Sequence, residues 1–113
     1  MSDQLRVERD DRDVVTLTID RPEVRNAFGP EVMQAVRDAV TDLRDDDTLR
    51  ALVITGAGDA FSAGADLTWM SAMAEGGHDD QVADSHQLDD LFHAVDTFPA
   101  PVVARVNGHA LGG

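Results

Sequence analysis

The sequence predicts an α/β fold with a largely parallel sheet, and three observations carry this. Short apolar runs alternate along the chain with stretches of helical periodicity. Ala51-Leu52-Val53-Ile54 is an unbroken apolar run, the pattern of a parallel strand covered on both faces. This run and the later one at Val102 to Val106 each lead into a glycine-bearing loop.

The elements follow in order. Leu5 to Arg9 and Val14 to Ile19 read as strands, since Val15, Leu17 and Ile19 alternate with Thr16 and Thr18. Asp10-Asp11-Arg12-Asp13 between them is a polar turn, which makes the pair a hairpin. Residues 20–26 form a loop, because Pro22 cannot pair inside a central strand. Gly29-Pro30-Glu31 opens a helix: proline at the first helical position gives up only an N–H that has no partner, and Glu31 suits the positive end of the dipole. Val32, Val36, Ala39, Val40 and Leu43 make its apolar stripe. A strand over Leu49 to Thr55 and a turn at Gly56-Ala57-Gly58-Asp59 come next. Asp66 is placed to cap a short helix from Leu67 to about Ala74. After the break at Glu75-Gly76-Gly77-His78, a long helix spans about Asp80 to Thr97, with Leu88, Leu91, Phe92, Val95 and Phe98 on one side. Pro99-Ala100-Pro101 stops it, and Val102 to Val106 is the last strand. No domain boundary falls inside residues 1–113.

The 113 residues carry 22 acidic and 9 basic side chains, a formal charge of -13. Such a surface repels phosphate backbones, which argues against nucleic-acid binding. Every basic residue is arginine and none is lysine. Without cysteine, disulfides, thiolate catalysis and cysteine-based zinc sites are excluded. No apolar run is long enough to span a membrane, and the N-terminus lacks the basic start and apolar stretch of a signal peptide, so a cytoplasmic setting is expected.

Several motifs fail on inspection. Gly56-Ala57-Gly58-Asp59-Ala60-Phe61 has phenylalanine at the third glycine position of a dinucleotide fingerprint, and no Gly-Lys-Ser/Thr follows for a phosphate loop. His86 and His93 are seven apart, where a metal pair on one helical turn needs three or four, so no metal is expected. Asp45-Asp46-Asp47 and Asp89-Asp90 lack the ligand pattern of a calcium loop. Two loops remain, Ser62-Ala63-Gly64-Ala65-Asp66 and Asn107-Gly108-His109-Ala110-Leu111-Gly112-Gly113. Either they are tight turns, or their small residues let a ligand reach free main-chain N–H groups.

Three segments then resemble the enoyl-CoA hydratase/isomerase family, the crotonases, in order and spacing: Arg21-Pro22-Glu23-Val24-Arg25-Asn26-Ala27-Phe28, Phe61-Ser62-Ala63-Gly64-Ala65-Asp66-Leu67, and Pro101 to Gly113. Ala65-Asp66-Leu67-Thr68-Trp69-Met70 looks most like the methylglutaconyl-CoA hydratase branch. The resemblance implies the N-terminal part of one crotonase-like domain of repeated ββα units, truncated after its N-terminal half. It implies an acyl-CoA thioester substrate, with coenzyme A as part of that substrate and no separate cofactor. The Ala65 and Gly113 main-chain N–H groups are the implied oxyanion donors, opposing the charge that grows on the thioester oxygen.

The loop from Arg21 to Ala27 and the segment Ala63 to Asp66 resemble those lining the CoA nucleotide. Arg25, Ala27, Ala63, Gly64 and Asp66 are the candidates there. Arg25 is read either as a phosphate ligand or as a solvated surface arginine. Asp66 is better read as a helix cap than as a catalytic group, and Trp69 and Met70 either line the acyl pocket or pack in the core.

The family's hydratases use two glutamates beyond the Gly-Gly turn, and Glu8, Glu23, Glu31 and Glu75 match neither position. The leading expectation is hydration of a 2-enoyl-CoA through an enolate by the full-length protein, a homotrimer or dimer of trimers, with residues 1–113 alone inactive. Double-bond isomerisation on the same fold is the second reading, and a non-catalytic acyl-CoA-binding or inactive truncated fragment is the third.

Overall fold

An antiparallel hairpin starts the described chain. The computed structural model describes residues 4–112, with backbone alone for residue 73 and residues 78–85. Strands β1 (Leu5–Arg9) and β2 (Val14–Ile19) pair with Leu5 opposite Ile19 and Arg9 opposite Val15. The turn forms because the Asp10 carboxylate accepts the Arg12 and Val14 N–H groups at 2.8 and 3.0 Å, while Asp13 takes a left-handed φ of 63°.

Helix α1 (Pro30–Leu43) follows, with Gly29 as its N-cap and Pro30 at the first position. Strand β3 (Ala51–Gly56) then lies parallel to β2, Leu17 beside Ile54, and β5 (Val102–Ala104) lies parallel to β3. The four-stranded order is β1-β2-β3-β5. Between β3 and β5 run β4 (Ala60–Ser62), α2 (Leu67–Glu75) and α3 (His78–Asp96). A small second sheet pairs β4 in parallel with β6 (His109–Ala110).

The core follows the sequence periodicities. Val15, Leu17 and Ile19 of β2, with Leu52 of β3, meet Val32, Val36 and Val40 of α1. Leu17, Leu52 and Val40 are fully buried. Leu91, Ala94 and Val95 of α3 pack against this cluster, and Phe98, just past α3, is buried in it.

Four details differ from the sequence reading. Strand β3 is not fully covered on both faces: α1 and α3 meet the face carrying Leu52 and Ile54, and Val53 on the other is half-buried. Phe92, expected on the apolar side of α3, is 46 % exposed. The last main-sheet strand ends at Ala104, because Asn107 turns the chain by hydrogen-bonding Gly56 N–H, Gly58 C=O and Ala60 C=O. Strands β4 and β6, read from sequence as loop, are too short for any periodicity to show. No helix of the described residues is long and apolar enough to cross a membrane.

Candidate active site

The site grows from one short parallel bridge, Phe28 beside Ala65. Phe28 N–H donates to Gly64 C=O at 2.9 Å, and Asp66 N–H donates to Phe28 C=O at 2.8 Å. Successive amides of an extended segment point to opposite sides. The Ala65 N–H therefore points away from Phe28, and among the described residues nothing accepts its hydrogen. It shares a trans peptide with the Gly64 carbonyl, and no cis peptide occurs. The hydrogen bond from Phe28 to that carbonyl thus fixes the direction of the Ala65 N–H.

Gly64 sets the curvature. Its φ is +92°, and a Cβ there would stand 2.7 Å from the Leu111 carbonyl oxygen. Only glycine fits both conditions. The close approach lays residues 111–112 along the same segment: Leu111 N–H donates to Ser62 C=O at 2.9 Å, and Gly112 has a φ of +68°. Gly113, the second expected donor, lies outside the described residues.

A buried polar net holds these loops. Asn26 is fully buried at a left-handed φ of 57°. Its side-chain NH2 donates to the Ala57 and Ala60 carbonyls, each at 2.7 Å, and its carbonyl oxygen accepts Arg21 N–H at 2.9 Å. Ser62 Oγ donates to Asn26 C=O at 3.0 Å and accepts Gly64 N–H at 3.1 Å. Ala63 N–H donates to Arg25 C=O at 2.9 Å. Every polar atom of the Asn26 side chain is thereby used, which offsets the cost of taking the amide out of water.

Asp66 closes the arrangement. One carboxylate oxygen accepts Thr68 N–H at 2.8 Å and Trp69 N–H at 3.2 Å, an N-cap for α2. The other stands 3.2 Å from an Arg21 terminal nitrogen, with both side chains about five-sixths buried, 16 % and 17 % exposed. The second Arg21 terminal nitrogen donates to Ala27 C=O at 2.8 Å. The Trp69 N–H above all, helped by the Thr68 N–H and the Arg21 guanidinium and opposed by desolvation, holds the Asp66 carboxyl below the usual carboxylate range.

The structure thus gathers Ala63, Gly64, Ala65, Asp66 and the buried Ala27 around one bridge. Arg25 stands beside them on an exposed left-handed turn, and among the described residues its guanidinium makes no hydrogen bond. Trp69 is half-buried on the first turn of α2, and Met70 is about half exposed. Neither lines the apolar cleft of about 330 Å³ between the sheet, α1 and α3, whose walls include Phe28, Met33, Phe61, Leu88 and Phe92. No cluster of His, Cys, Asp or Glu suited to a metal occurs among the described residues.

Sequence reasoning missed Arg21, Asn26 and Ser62 as a network. Arg-Pro followed by Asn before an apolar run was the available sign, since Asn tolerates the left-handed region and caps loops with its side chain.

Known proteins share this sequence pattern and fold. The profile of the family described as "Enoyl-CoA hydratase/isomerase" matches residues 9–113. A Thermus thermophilus protein named "Putative enoyl-CoA hydratase" is 43 % identical over 100 residues, covering 88 % of this chain and 40 % of its own. The crystal structure of an enoyl-CoA hydratase from Shewanella pealeana superposes with a TM-score of 0.92 at 28 % identity, over 96 % of this chain and 41 % of that one. One from Mycobacterium smegmatis gives 0.86 at 37 % identity, over 93 % and 40 %. The chain spans about 40 % of the length of these relatives. Matched over nearly all its length by one profile and one fold, the chain belongs to the enoyl-CoA hydratase/isomerase family.

Proposed function

We propose that the full-length protein carrying this sequence hydrates a 2-enoyl-CoA, and that the Ala65 N–H is one of two donors holding the thioester oxygen as it becomes an enolate. The observation that carries this reading is the Ala65 amide. It has no acceptor among the described residues, yet the peptide it belongs to is pinned through Gly64 C=O by Phe28 N–H. A donor held in place before the substrate arrives stabilises developing charge without reorganising. Gly113 is proposed as the second donor.

Addition of water to the double bond places a hydroxyl on the β-carbon and leaves the electron pair as an enolate on the thioester oxygen. Protonation at the α-carbon then completes the product. The acid and base are proposed to lie in the residues that the relatives carry beyond this segment, since Glu8, Glu23, Glu31 and Glu75 match neither hydratase position. The exposed Arg25 guanidinium suits a CoA phosphate, because its planar fork pairs with two phosphate oxygens.

The test is turnover by the purified full-length protein, followed as loss of the enoyl-thioester absorbance of crotonyl-CoA. Hydration is expected. Turnover of a 3-enoyl-CoA without hydration would assign isomerisation, and binding of acyl-CoA with neither reaction would assign a carrier or scaffold.

A further inference from the structure

We infer that Arg21 is a positioning residue for the reaction, a single guanidinium that clamps both sides of the bridge carrying the Ala65 amide; this deepens the oxyanion reading and rests on it. One terminal nitrogen holds Ala27 C=O at 2.8 Å, on the residue preceding Phe28. The other faces the Asp66 carboxylate at 3.2 Å, on the residue following Ala65. Phe28 and Ala65 are thus flanked by two anchors of one rigid, planar group. Arg21 Nε is buried and has no partner among the described residues, so the two terminal nitrogens do all the holding. The Arg21 main chain is fixed as well, its N–H donating to Asn26 and its carbonyl accepting Val24 and Asn26 N–H. A charge pair that is five-sixths buried is screened by salt far less than a surface pair. Loss of either anchor leaves the bridge held by its two main-chain hydrogen bonds alone, with more freedom to twist, and the Ala65 N–H is aimed less well.

Asp66 has two jobs, and they can be separated. Asp66→Asn keeps an oxygen for the Thr68 and Trp69 N–H groups and so keeps the cap, but removes the charge facing Arg21. Arg21→Gln removes the guanidinium from the other side. Arg21→Lys supplies one nitrogen, able to reach one anchor at a time.

The experiment measures kcat and KM for crotonyl-CoA, CoA affinity, thermal unfolding and the Ala65 amide chemical shift in the full-length protein and these variants. Asp66→Asn and Arg21→Gln are expected to lower kcat by about ten- to a hundred-fold, the effect of misaligning a reactive contact. In Arg21→Gln, which changes none of the candidate CoA contacts, KM and CoA affinity should stay within about two-fold. The Ala65 amide resonance should move in both variants, and Arg21→Lys should recover part of kcat. Wild-type kcat in Asp66→Asn, or parallel loss of kcat, CoA binding and melting temperature, would overturn the assignment. If the unmodified protein turns over no enoyl-CoA, the proposed function fails. The clamp is then judged by the Ala65 amide in Arg21→Gln, a substitution far from Ala65 in sequence, and an unmoved resonance there refutes it.

Discussion

At the scale of single residues, two positions show how local geometry decides tolerance. Gly64 combines a φ of +92° with a carbonyl oxygen 2.7 Å from where a Cβ would stand. Gly64→Ala should therefore destabilise the full-length protein by about 1–3 kcal/mol, measured by urea unfolding, with loss of activity beyond the loss of folded protein. Arg25 is the opposite case, a non-glycine residue at a left-handed φ of 54° whose side chain faces solvent. If it binds a CoA phosphate, Arg25→Ala should raise KM roughly ten-fold and leave kcat nearly unchanged. An unchanged KM would return it to the solvated surface arginine that the sequence equally allowed.

At the scale of elements, the hairpin, α1 and the start of α2 were legible because their signals are local. A 3.6-residue stripe, an alternating strand and an aspartate before Leu67 each act within a few residues of chain. Strands β4 and β6 were not legible, since three and two residues carry no period and their pairing joins residues about fifty apart. The Arg21–Asp66 pair and the Asn26–Ser62 contact were hidden for the same reason, being side-chain bonds between distant loops. The Ala65 amide was singled out only through resemblance, because its direction is set by what Phe28 does to its neighbour Gly64. Packing sets the expected mutational costs. Leu52→Ala, at a fully buried position on β3, should cost about 2–5 kcal/mol in urea unfolding. Val7→Ala on β1, where the side chain is 42 % exposed, should stay within about 0.5 kcal/mol. The cap on α2 adds a pH dependence. The Asp66 carboxyl is held below its unfolded value by the Trp69 and Thr68 N–H groups and by Arg21. Its stabilisation is thus fully present above about pH 4 and is lost as pH falls through the lower folded value. Stability curves of the native protein and Asp66→Asn should converge as the pH drops below about 4; curves that stay parallel there would contradict the cap and ion-pair account.

At the scale of the whole molecule, the sheet and its exposed side chains determine how residues 1–113 behave by themselves. Among the described residues β5 pairs only with β3, and Val103, Val106 and Leu111 are each about half exposed or more. An apolar strand edge is a template for pairing with another chain. Expressed alone, residues 1–113 should self-associate in sedimentation velocity despite a formal charge of -13, and a stable monomer would show the edge to be harmless. The same architecture gives the site its rigidity, since the parallel sheet fixes where β2 and β3 release their loops and the Asn26 net ties those loops together. Everything converges on one amide. In the full-length protein, Ala65→Pro deletes the N–H, and Ala65→Gly keeps it while removing only the methyl group. With kcat for crotonyl-CoA measured beside CoA affinity, the proline variant should lose about a hundred- to a thousand-fold in kcat, roughly 3–4 kcal/mol, with CoA binding little changed, and the glycine variant far less. Equal loss of rate in both variants, or loss of CoA binding along with rate in the proline variant, would contradict the assignment of the Ala65 N–H as an oxyanion donor.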